Sequence, residues 1–76
     1  MSEQIFKRVC EIAGDALDAP VNADSSPLSV ESWDSVRHLN LMLALEEEYG
    51  FQFLPEEMDE AKSIRDIATL VASKHV

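Results

Sequence analysis

In ESWDSVRHLNLMLALEEEYG, residues 31–50, apolar side chains recur on two faces of one helix instead of one. At about 100° per residue, Leu41, Met42, Leu45 and Tyr49 fall together, and His38 falls with them. That group is broad enough to be a core face. Val36, Leu39 and Leu43 fall on the opposite side at i, i+3, i+7, the spacing of an anchoring stripe. Arg37, Asn40, Glu46, Glu47 and Glu48 occupy the flanks. The pattern predicts a helix from Asp34 or Ser35 to Tyr49, with Gly50 as its C′ residue. The second stripe is either covered by a neighbouring loop, a set of ordinary exposed apolars, or a docking surface rimmed by acid.

Working outward, Ile5, Phe6, Val9, Ile12 and Ala13 predict a first helix, with Ser2 as N-cap and Gly14 as stop, Leu17 packing beyond it. Residues 15–33, DALDAPVNADSSPLSVESW, follow no period. A loop this long must be tied down, and Val21, Leu28, Val30 and Trp33 are the expected anchors. After Gly50, Phe51 and Phe53 should fold back onto the core. Pro55 opens a short third helix, where its missing N–H costs nothing and Glu56 and Glu57 meet the positive helix end. Ser63 with Asp66 opens a fourth helix whose stripe is Ile64, Ile67, Ala68, Leu70 and Val71. The expected class is all-α: one domain over residues 1–76, a small four-helix bundle with a long first loop and a short third helix.

The 76 residues carry 15 acids against 6 Lys and Arg, a formal charge of −9. This argues against a phosphate-backbone partner, which needs basic residues, and favours a basic protein partner steered in by long-range attraction. A single cysteine, Cys10, permits no internal disulfide. No apolar run reaches the roughly 20 residues a bilayer span requires, and the start of the chain lacks a signal-peptide layout. A cytoplasmic monomer is expected, free-standing because the chain begins and ends close to its helices.

Ser35 stands where a serine ordinarily caps a helix. A helix N-terminus also offers free N–H groups and a positive dipole end, a ready site for the charge of a phosphodiester attached there. Ser35, His38 and Asp34 do not make a hydrolase, because a triad needs the histidine to face the serine and an acid to orient the histidine. Here all three lie within one helical turn, and His38 points to the core side. His75 is expected to be solvated tail. The loop DALDAPVNADSS has no glycine at the sharp turn and no terminal Glu, so it fails the calcium-loop template. Cys10 has no ligand at metal spacing. No catalytic residue and no metal site are expected.

The DSV opening, the apolar positions one, four and eight residues after the serine, ALEEEYG and the SIRDIATLV ending together closely resemble the acyl carrier proteins, over nearly the whole chain. The resemblance implies that Ser35 carries 4′-phosphopantetheine, transferred from coenzyme A by a Mg²⁺-dependent phosphopantetheinyl transferase, with Asp34 as its motif neighbour. It implies that Val36, Leu39 and Leu43 contact acyl-loading and acyl-processing enzymes through basic docking patches. Glu46 and Glu47 would belong to the acidic recognition surface. Leu41, Met42, Leu45 and Tyr49 would line a pocket that can shelter an acyl chain. The sequence departs from housekeeping fatty-acid carriers at Val36, where Leu or Met is usual. It departs also at Trp33, where a small residue is usual, and at Arg37 and His38, where Asp or Glu and Thr are common. An Arg37 in the recognition helix should alter partner choice, and the departures point to a specialised pathway. The implied role is transport of thioester-bound acyl groups in fatty acid, polyketide or related metabolism. The alternative is an unmodified acidic adaptor that binds a basic partner through Val36, Leu39 and Leu43.

Overall fold

A computed structural model describes residues 3–74, which form four helices and no strand among the described residues. They are α1 (Glu3–Leu17), α2 (Ser35–Tyr49), α3 (Pro55–Glu60) and α4 (Ile64–Lys74). Ser2 and His75 lie outside the described residues.

One core runs through the bundle. Val9, Ala13 and Leu17 of α1, Leu41, Met42 and Leu45 of α2, and Ile64, Ile67, Ala68 and Val71 of α4 are fully buried. Helix α1 packs on both α2 and α4, so the periodic stripes meet as the spacing predicts. Ile5, Phe6, Ile12, Tyr49 and Leu70 pack at the margin.

Helix α1 runs three residues past the expected stop at Gly14. Burying Leu17 completely outweighs the roughly 1 kcal/mol that an interior glycine costs a helix. The true terminator is Asp18, whose left-handed φ of 53° turns the chain and lets the Ala19 N–H donate to the Gly14 carbonyl at 3.2 Å. Gly50 ends α2 as expected, with φ 73° and its N–H donating to the Glu46 carbonyl at 2.8 Å.

The long loop is fastened at both ends. The Ser32 hydroxyl donates to the Leu17 carbonyl at 2.6 Å, and the buried Trp33 and Val30 anchor it in the core. Its middle caps α4: the N–H groups of Ile64 and Arg65 donate to the Ser25 and Ala23 carbonyls at 3.0 and 3.1 Å. Those are groups a helix start leaves without internal partners. The Ser63 hydroxyl accepts from Asp66 N–H at 3.1 Å, completing the cap. Leu28, expected as an anchor, is fully exposed. The turn closed by Ser29 N–H and Val30 N–H on the Ser26 carbonyl carries Leu28 outward and Val30 inward.

Helix α3 starts at Pro55 and buries none of its own residues. The Glu57 carboxylate accepts from Leu54 N–H at 2.7 Å and pairs with Lys74 Nζ at 2.8 Å. The preceding aromatics fold back: Phe53 is buried, and Phe51 meets it edge-on at 4.9 Å.

Candidate functional site

The start of α2 separates two roles that the sequence leaves merged at Asp34 and Ser35. Asp34 is extended (φ −100°, ψ −176°), and its carboxylate accepts from Arg37 N–H at 2.8 Å. Asp34 is therefore the N-cap. Ser35 is the first helical residue, exposed, and its hydroxyl takes no part in the cap. Ser35 and Val36 lie in the first turn, where N–H groups have no partner within the helix and the dipole favours negative charge. An exposed, unengaged hydroxyl at such a position fits a phosphodiester linkage.

Beside Ser35 opens a cleft of about 840 Å³. Pro27 and Leu28 of the loop wall one side, and Pro55 and Met58 of α3 wall the other. Trp33 and His38 lie at its floor, and Asp59 and Lys62 at its edge. Leu41, Met42, Leu45 and Tyr49, expected to line an acyl pocket, do not line it; the first three are fully buried in the core and Tyr49 packs at its margin.

His38 is half-buried, as its place on the core-side face suggests, and both ring nitrogens are engaged. Trp33 Nε1–H donates to Nδ1 at 3.0 Å, and Nε2 lies 2.6 Å from the Met58 carbonyl. The two rings stack at 5.9 Å. Neither nitrogen serves Ser35, and the Asp34 carboxylate serves the cap, so no triad forms. This bridge is invisible in sequence: Trp33 and His38 are not helical neighbours, and the third partner is a backbone carbonyl.

The second stripe is open. Val36, Leu39 and Leu43 are 68%, 48% and 47% exposed, so the loop does not cover them. The acids around it divide. Glu47, Glu56, Asp59 and Glu60 are exposed. Glu46 is half-buried and accepts from Phe53 N–H at 2.7 Å, fixing the turn after α2. Glu48 reaches α1, where Arg8 pairs with it at 2.9 Å and holds its carboxyl below the usual range. Glu57 is held low in the same way, first by Lys74 and then by Leu54 N–H. Arg37 sends a guanidinium N–H to the Ala16 carbonyl at 3.4 Å, onto the negative end of α1.

Among the described residues no group of three or more His, Cys, Asp or Glu side chains could hold a metal. None of the helices is long and apolar enough to cross a membrane. Cys10 is a half-buried free thiol that burial pushes up.

The family model for the phosphopantetheine attachment site matches residues 7–71. An acyl carrier protein of Coprothermobacter proteolyticus is 24% identical over 74 residues, covering 93% of this chain and 90% of the relative. The solution structure of holo acyl carrier protein from Geobacter metallireducens superposes with a TM-score of 0.81 at 27% identity, covering 92% of this chain and 84% of that one. The chain belongs to the phosphopantetheine-attachment family as an acyl carrier protein, a carrier of acyl groups on a covalently bound phosphopantetheine and not an enzyme.

Proposed function

We propose that Ser35 is the residue that carries the 4′-phosphopantetheine. We propose also that the stripe of Val36, Leu39 and Leu43 docks the enzymes that install the group and load and process its cargo. One observation carries this reading: Asp34 performs the capping, which leaves the Ser35 hydroxyl exposed and without a structural task. When bound, the group supplies a flexible arm whose thiol holds the acyl chain. The chain's own residues supply the attachment oxygen, a helix end that tolerates the negative charge, and the surface that partners recognise. The covalent group of the family removes the reason for the unmodified-adaptor alternative.

The exposed stripe supplies contact area, and the exposed acids Glu47, Glu56, Asp59 and Glu60 set the sign of a basic partner. Such an interface is salt-sensitive, which suits a carrier that must leave each enzyme. Arg37 and Glu46 make contacts within the fold, so their part in recognition is to set the edges of the surface. The pathway we propose is a specialised one in fatty acid, polyketide or related acyl metabolism, on the departures at Trp33, Arg37 and His38. A reducing cytoplasm suits the free Cys10.

The test is an intact mass after incubation with coenzyme A, Mg²⁺ and a broad-specificity phosphopantetheinyl transferase, with Ser35→Ala alongside. The wild-type chain should gain one phosphopantetheine and the variant none. A gain on folded Ser35→Ala would move the attachment point elsewhere.

A further inference from the structure

Helix α3 walls the cleft beside Ser35, yet it buries none of its own residues. Besides the half-buried Met58 side chain packed against the core, two polar ties from other helices bind it: the Lys74–Glu57 pair from α4, at 2.8 Å, and the His38 contact to the Met58 carbonyl from α2, at 2.6 Å. The second tie dictates a protonation state. An indole N–H can only donate and a carbonyl can only accept. His38 Nδ1, 3.0 Å from Trp33 Nε1, must therefore be bare, and the single ring proton must sit on Nε2. Both bonds exist together only on a neutral imidazole.

We propose that His38 is a proton-operated latch: the neutral ring pins α3 to the Ser35 end of α2, and a second proton releases α3 and reshapes the cleft. A proton on Nδ1 would face the Trp33 N–H donor to donor. The ring must then turn, and turning draws Nε2 away from the Met58 carbonyl. The charged groups that share the cleft with the ring are Asp34 at the α2 cap, Asp59 on α3 and Lys62 after α3. Arg37, next along α2, is turned onto Ala16 of α1, and Glu57 on α3 is paired with Lys74. Held shut, the latch keeps the Trp33 and His38 floor in place and closes the cleft off from the core. Its effect on cargo rests on Ser35 being the attachment point; the latch itself does not, so the unmodified full-length protein tests it separately.

The experiment follows two reporters from about pH 8 to about pH 5, the span in which histidine changes charge. One is the emission of Trp33, the single tryptophan of the chain. The other is the hydrogen-exchange protection of the Met58 and Ala61 amides, corrected for intrinsic rates. His38→Gln is the discriminating variant, because its amide can accept from Trp33 and donate to Met58 but cannot titrate. In the wild type, α3 protection should fall roughly fivefold, the loss of about one net hydrogen bond, in step with the change in emission. His38→Gln should stay protected and flat, and His38→Ala should be low at both ends. Helical circular dichroism shows that the fold persists; if His38→Ala fails to fold, the wild-type and Gln comparison decides alone. A flat wild-type profile, or a transition of equal size in His38→Gln, would overturn the latch.

Discussion

The assignment of the cap to Asp34 and of the free hydroxyl to Ser35 makes opposite demands on two adjacent substitutions. Asp34→Ala removes the acceptor of Arg37 N–H, a 2.8 Å bond, and such caps are worth about 1 kcal/mol. It also removes a negative charge from the positive end of α2. Asp34 is exposed, so that adds only about 0.3 kcal/mol, the low end of the range. The sum lowers the melting temperature by roughly 5–10 °C for a domain of this size. Asp34→Asn keeps the cap and loses only the charge, so it should fall within about 2 °C of wild type. Ser35→Ala should change stability by less than about 0.5 kcal/mol, because the hydroxyl makes no cap and alanine is the better helix former. The assay is urea and thermal unfolding of the four proteins followed by circular dichroism. Destabilisation of Ser35→Ala equal to that of Asp34→Ala would refute the reasoning. The serine would then hold the helix start, and its exposure would say nothing about attachment.

Three further outcomes are expected. Gly14→Ala should stabilise the protein by about 0.5–1 kcal/mol in urea unfolding, since the added Cβ meets only the Ala19 carbonyl at an ordinary 3.5 Å. Leu39→Ala should weaken docking. With Leu39 48% exposed, about half of the 1.5–3 kcal/mol for burying a leucine is open to a partner, so the transferase KM should rise roughly fivefold with kcat and fold stability little changed. Glu57, whose carboxyl Lys74 and Leu54 N–H hold below the usual range, lends stability that is full above the ordinary carboxylate range and is lost as pH falls through its lowered value. Carbon-detected titration of that carboxyl should show its midpoint rise in Lys74→Met, and an unmoved midpoint would remove the pair as the cause.

The helices were legible because their faces are periodic and their ends carry explicit chemistry. Gly50, Pro55 and Ser63 each do locally what their residue types do best, and the buried set of α2 and α4 is the one the spacing selects. The readings that went astray depend on contacts distant in sequence. Gly14 reads as a stop because glycine is the commonest local terminator; Leu17 packs as expected, but that it does so on a continuing helix depends on core contacts distant in sequence. Leu28 looked like an anchor because apolar residues in a loop are ambiguous until the turn geometry is known, and the Ser26 turn reverses the choice between Leu28 and Val30. At the site, the two faces of α2 could be read from period alone. The division of labour between Asp34 and Ser35 could not, because both residue types cap helices and only the backbone angles show which one is extended.

The acids show why charge alone is a poor guide to a docking surface. Seven acidic residues border the open side of α2 and α3 in sequence, yet Glu46, Glu48 and Glu57 are bound to Phe53 N–H, Arg8 and Lys74. Glu46 closes a turn, Glu48 ties α2 to α1, and Glu57 ties α3 to α4. The exposed acids outside these ties are Glu47 on α2 and Glu56, Asp59 and Glu60 on α3, so most of that charge sits on the helix that buries none of its own residues. The basic partner proposed above would meet, on α3, the same element that the His38 and Lys74 ties bind. The Val36, Leu39 and Leu43 stripe stands on a helix whose opposite face is fixed in the core, and through Leu39 it borders the same cleft that Met58 and Asp59 of α3 line.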